Sequence, residues 1–216
     1  MKGANKAFLD QKDRWLLNNL LVYQVMTPPT GSPNNVYSFD LWKIGTIKDG
    51  GGATRTMYEL HQISERLIKD KADKSTNHIR AYFLPWTTGQ TKSMQLGNDA
   101  DFFFTPTLTG CTFAAASGLN PTVAHSNFVT GTGTVDQDTI DEELDTLYGA
   151  TPIRKVEKTQ YKTGVDASDY LATVVGFRTT AGWNFYYQRY KRTLAPKPRG
   201  GSQLVTVLQD RAVLVT

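Results

Sequence analysis

Cysteine and histidine are scarce in this chain, with one Cys and three His among 216 residues. A single thiol cannot close an internal disulfide, so folding does not depend on an oxidising compartment. Zinc patterns are missing as well: there is no CxxC or HExxH, and His61 and His78 have no partner at metal-ligand spacing. Neither GxxxxGKS/T nor GxGxxG occurs, and Gly50 to Gly52 lacks the lysine and hydroxyl that a phosphate loop needs. A metal or nucleotide enzyme is disfavoured on these grounds, and no cofactor is expected. Long apolar runs are absent too. The first 22 residues carry Asp10, Lys12, Asp13 and Arg14 ahead of a Leu-rich stretch broken by Asn18 and Asn19, which fits neither a secretory signal nor a membrane span. Charge is close to balance, at 24 basic against 20 acidic residues, and so neither requires nor excludes a nucleic-acid or membrane partner.

Aromatic side chains, by contrast, are plentiful, with ten Tyr, ten Phe and four Trp. That composition belongs to a folded globular chain, and the length fits one domain spanning residues 1–216. Apolar periodicity predicts a helix over residues 5–23, a proline-rich loop from Thr27 to Asn35, and a strand from Val36 to Ile44 with Tyr37, Phe39 and Leu41 on one face. After the KDGGGAT turn at Lys48 to Thr54, a second helix is expected from Met57 to Lys69, opened by a capping box of Thr56 and Glu59. Strands are expected at His78 to Leu84, Ala100 to Thr105, Leu171 to Arg178, Trp183 to Tyr190 and Gln203 to Leu208, with a hairpin turn at Thr179 to Gly182. An acidic helix at Thr139 to Gly149 should turn Ile140, Leu144 and Leu147 inward and end on Gly149. Leu194 to Gln203 reads as a mobile loop. Without regular βαβ alternation, this order predicts an α+β fold, a mixed or antiparallel β-sandwich core flanked by helices.

The most informative segment runs from Asp101 to Asn127, DFFFTPTLTGCTFAAASGLNPTVAHSN. Cys111 follows Gly110 at the edge of a polar turn, where glycine allows backbone N–H groups to point at a reacting oxygen. A hairpin joining Thr112 to Ala116 with Pro121 to Ser126, centred on Gly118, would set Cys111 directly opposite His125. Opposed residues have Cβ atoms about 4.5–5.5 Å apart, and a one-residue slip would turn His125 to the other face. An imidazole that takes the thiol proton converts a weak nucleophile into a thiolate. Thr105, through its hydroxyl or carbonyl, is the candidate to orient the ring.

Competing readings attach to the same residues. A lone cysteine is often only a small buried hydrophobe, and His61 reads as a satisfied residue on a helix flank. Arg154, Lys155, Lys158 and Lys162, with Arg189, Lys191, Arg192, Lys197 and Arg199 among Tyr186, Tyr187 and Tyr190, could stack on single-stranded nucleic acid, although such mixtures are commonly solvated strand faces. The same Cys-His dyad would also serve a cysteine protease or a transglutaminase, and a sandwich-type binding protein would need no thiol.

The stretch Phe83 to Cys111 resembles Burkholderia lethal factor in LPW at Leu84 to Trp86, Gln95 to Gly97, FFT at Phe103 to Thr105, and LTGC at Leu108 to Cys111. The last is an instance of the LxGC motif shared with the catalytic domain of cytotoxic necrotizing factor. The likeness is clearest over residues 79–127, although the segment joining Cys111 to His125 is longer here. Chemoreceptor glutamine deamidases are similar in placing a threonine six positions before the cysteine, as Thr105 is. The resemblance implies a toxin-type protein glutamine deamidase on a sandwich-like scaffold. It implies Cys111 as nucleophile, His125 as base and acid, Thr105 as the group orienting His125, and the Gly110 and Cys111 backbone as oxyanion donors. It further implies a host-protein substrate in the host cytoplasm, a translation-initiation helicase as for lethal factor, or a Rho-family GTPase as for the necrotizing factors. A monomer without membrane insertion or direct nucleic-acid binding is the accompanying expectation.

Overall fold

Alternating aromatic and branched residues drive most of this chain into strands, because each strand has an apolar face to bury. The computed structural model describes residues 2–23, 33–63, 78–162, 170–196, 202–208 and 213–215. Two short helices, α1 (Lys2–Asp10) and α2 (Lys12–Asn18), lead into β1 (Asn19–Val22). There follow β2 (Val36–Lys48), β3 (Thr54–Ile63), β4 (Ile79–Phe83), β5 (Gln90–Gln95), β6 (Phe102–Phe104), β7 (Thr112–Ala116) and β8 (Thr122–Asn127). Helix α3 (Gln137–Tyr148), β9 (Ile153–Val156), helix α4 (Lys158–Tyr161), β10 (Tyr170–Thr179), β11 (Gly182–Pro196), β12 (Ser202–Leu208) and β13 (Val213–Leu214) complete the order. The fold is α+β with a β-rich core, as expected.

Two sheets carry the core. The larger is mixed, ordered β1-β3-β2-β4-β6-β10-β11-β12 with β13 beside β11, and its parallel pairs are β1/β3 and β4/β6. The smaller is antiparallel, ordered β5-β8-β7-β9. The three consecutive phenylalanines of β6 explain the layering. Side chains alternate across a strand, so Phe103 joins the core between the sheets with Phe113, Val123 and Val156, whereas Phe102 and Phe104 face Phe8, Trp15 and Leu16 of the N-terminal helices. Helix α3 covers the outer face of the small sheet through Ile140, Leu144 and Tyr148. The large sheet curls until Tyr190 of β11 meets Leu20, Val22 and Ile47. Gln188 closes the gap, accepting from Leu21 N at 2.9 Å and donating to Leu16 O at 2.8 Å and Asn19 O at 2.7 Å.

Several expectations are corrected. The first helix breaks at Gln11 and gives way to strand at Asn19, because residues 19–22 pair in parallel with β3. Met57 to Ile63 is strand rather than helix, paired with β2 along the whole of β3; residues 64–69 of that expected helix lie outside the described residues. Helical spacing at Met57, Leu60 and Ser64 is thus overridden by hairpin pairing across the KDGGGAT turn, a tertiary effect stronger than local propensity. On α3, Ile140 and Leu144 are buried, but Leu147 is exposed and Tyr148 is buried instead, its hydroxyl donating to Ala114 O and Thr122 O at 3.3 and 3.2 Å. Leu194 to Pro196 and Ser202 to Gln203 are paired strand, not loop; residues 197–201, like residues 27–32 of the expected proline-rich loop, lie outside the described residues. Among the described residues no helix is long and apolar enough to cross a membrane.

Candidate active site

The parallel pair β4/β6 builds one wall of the site. Its register places Phe83 beside Phe104, so the chain leaves both strands with Leu84 and Thr105 side by side, and Leu84 N donates to Phe104 O at 3.1 Å. Thr105 follows Phe103 on the inner face, towards the small sheet. There it is fully buried and its hydroxyl donates to the carbonyl of Leu84 at 2.9 Å.

His125 supplies the opposite wall from β8. It too is fully buried, and its Nδ1 lies 2.7 Å from Thr105 Oγ1. The proton on that bond can be assigned by counting. A hydroxyl has one proton, and Thr105 spends it on the Leu84 carbonyl, which can only accept. Nδ1 must therefore carry the ring proton and donate it to Thr105. Nε2 is left as a bare lone pair, and among the described residues it has no hydrogen-bond partner. A general base needs that tautomer. Burial pushes the His125 pKa down to about 3, so the ring is neutral across physiological pH.

Cys111 stands at the mouth of β7. The expected direct opposition to His125 is corrected by the register: His125 pairs with Phe113, and Thr112 pairs with Ser126. The hairpin is offset by two residues, because Pro121, which has no N–H to give a ladder, stays in the turn beyond Gly118 at φ 118°. An even offset keeps the face, so Cys111 and His125 both point into the space between the sheets. They are diagonal neighbours, a relationship that separates Cβ atoms by about 7–8 Å. Cys111 is 3% exposed, and burial raises its thiol to about 11 against hydrogen bonds from the Thr109 and Cys111 backbone and the charge of Lys162. The resting pair is a neutral thiol and a neutral imidazole.

The turn that carries Cys111 is clamped on several sides. Leu108 exchanges both backbone hydrogen bonds with Ala172 of β10, at 2.7 and 3.1 Å. A Cβ on Gly110 would lie 2.7 Å from Val135 Cγ2, so only glycine fits there without displacement. Tyr161 of α4, fully buried, donates to the Cys111 carbonyl at 2.8 Å. The expected oxyanion donors, the Gly110 and Cys111 backbone N–H groups, sit in this clamped turn. Reasoning from sequence missed Tyr161, which lies 50 positions from Cys111 on a four-residue helix without a local signal, and missed the Leu84 carbonyl as the group that sets the tautomer.

Other candidates lie elsewhere. His61 is a strand residue, stacked on Trp42 with ring centroids 4.1 Å apart and 2.7 Å from Glu59, and His78 is 2.9 Å from Asp40. Lys155 is held by Asp141 and Glu157, Arg154 donates to Trp183 O, and Arg189 and Lys191 lie over the ring of Tyr170. Tyr190 is fully buried, and Lys197 and Arg199 lie outside the described residues. Among the described residues no three His, Cys, Asp or Glu side chains converge as metal ligands. No protein-family model matches this chain, and no curated protein matches it.

Proposed function

We propose that this protein is a toxin-type protein glutamine deamidase that converts a glutamine of a host protein to glutamate. The observation that carries the reading is the Leu84–Thr105–His125 chain, which leaves Nε2 of a buried neutral imidazole as an unpaired base on the same face as the only thiol. As Cys111 attacks the carboxamide carbon, its proton passes to Nε2, and the C=O electron pair moves onto oxygen opposite the Gly110 and Cys111 backbone. Collapse of that oxyanion expels ammonia, which takes the proton from His125 and leaves a thioester. Water then gives a proton to Nε2 as its oxygen attacks the thioester carbon, the C–S bond breaks, the thiolate takes that proton back from His125, and glutamate and the free Cys111 thiol remain.

The local likeness to lethal factor favours a translation-initiation helicase as target, with loss of translation in the host cytoplasm as the outcome. Intact-protein mass spectrometry of that helicase and of a Rho-family GTPase tests both targets. A gain of about one mass unit, absent with Cys111→Ser, is the deamidation product. If Cys111→Ser folds and retains the full biological effect, the thiol-enzyme reading fails and a binding role takes its place.

A further inference from the structure

One polar contact at the site is not used by the chemistry above. Tyr161 is fully buried, and its hydroxyl donates to the carbonyl of Cys111 at 2.8 Å. The hydroxyl therefore holds the peptide group that follows Cys111, while Val135 Cγ2, 2.7 Å from where a Cβ on Gly110 would lie, confines the turn just before it. Between them lies the Gly110–Cys111 peptide, whose N–H is one of the expected oxyanion donors. A peptide group is planar, so restraint on both sides of it limits how far that plane can rotate.

We propose that Tyr161 is a positioning residue of the nucleophile turn: by holding the Cys111 carbonyl, the Tyr161 hydroxyl fixes the backbone that carries the thiol and aims the Cys111 N–H at the oxyanion formed there. The purpose of the contact rests on the deamidase reading, but the contact can be tested without a substrate. Tyr148 is the natural control. It is also a buried tyrosine that donates to two backbone carbonyls of the β7/β8 hairpin, and no hydrogen bond joins it to residues 109–111.

Because Cys111 is the only cysteine, labelling the full chain with 15N-cysteine gives one amide signal. Tyr161→Phe keeps the ring and its packing and removes the hydroxyl. Expected are a shifted Cys111 amide resonance and about tenfold faster hydrogen exchange at that amide, with Tyr148→Phe leaving both near the wild-type values even where it lowers the Tm as much. With the mass-shift assay in hand, Tyr161→Phe should lower kcat about tenfold and leave KM unchanged, since it touches the backbone of the nucleophile and not the substrate. Matching Cys111 amide spectra and exchange in the two variants would overturn the proposal and leave Tyr161 as core packing. Absence of any deamidation by the wild type, with the amide response intact, would instead remove the deamidase reading and keep the positioning contact.

Discussion

Thr105 Oγ1 and His125 Nδ1 meet at 2.7 Å between two sheets, and the threonine proton is already committed to the Leu84 carbonyl. The hydroxyl is thus an acceptor for the ring. It holds the imidazole in one tautomer, whereas an acceptor-free site would leave the proton on either nitrogen.

Thr105→Ser should preserve this arrangement and retain activity within a few-fold. Thr105→Ala leaves the Leu84 carbonyl and the His125 Nδ1–H buried without partners, at a cost of about 2 kcal/mol or more. Loss of ring orientation should lower kcat/KM about 100-fold. Urea unfolding together with the deamidation assay separates the two effects, and equal behaviour of the Ser and Ala variants would contradict the assigned role.

His125 makes stability depend on pH in a defined direction. Its folded pKa is depressed to about 3, while the unfolded chain titrates near its ordinary 6.5. Between those values the unfolded state binds the extra proton, so stability is full above about pH 6.5 and falls as pH drops towards 3, by at most about 1.4 kcal/mol per pH unit. His125→Asn does not titrate and should flatten the difference in urea midpoint between pH 7 and pH 5. Parallel slopes for wild type and variant would show that the ring is not neutral and buried.

Gly110→Ala drives a methyl to 2.7 Å from Val135 Cγ2. Overpacking of that kind costs about 1–3 kcal/mol. Val135→Ala opens the space, so a double-mutant cycle should return a coupling in which the second substitution rescues the first. Additive losses would mean that the turn shifts away from Val135 instead.

Gln188 binds one N–H and two carbonyls of the segment from Leu16 to Leu21. Gln188→Leu leaves those buried groups unpaired and should destabilise the protein by about 3 kcal/mol. Hydrogen exchange should then show earlier loss of protection in β1 than in β10. Uniform loss across both strands would indicate that the curl does not depend on this side chain.

The types of residue at the site were legible along the chain. Cys111 after Gly110, a hairpin that returns His125, and Thr105 ahead of both follow from turn residues and strand alternation, which are local properties. The FFF run at Phe102 to Phe104 likewise marks a strand buried on both faces, and Asp136 accepts from Thr139 N at 3.2 Å in capping a helix whose acidic amphipathic pattern was already visible. What could not be read locally was each choice made by a distant partner. Met57 to Ile63 carries helical spacing, yet β2 offers ten residues of ladder, and pairing wins. An offset of two in the β7/β8 hairpin moved Cys111 from opposite His125 to its diagonal without changing its face, because side chains in a strand repeat every two residues. The proton on Nδ1 depends on Leu84, and the clamp on Cys111 depends on Tyr161, each brought in from another element by the packing of two sheets. Periodicity tells which way a side chain faces; only the closed fold decides what it meets there.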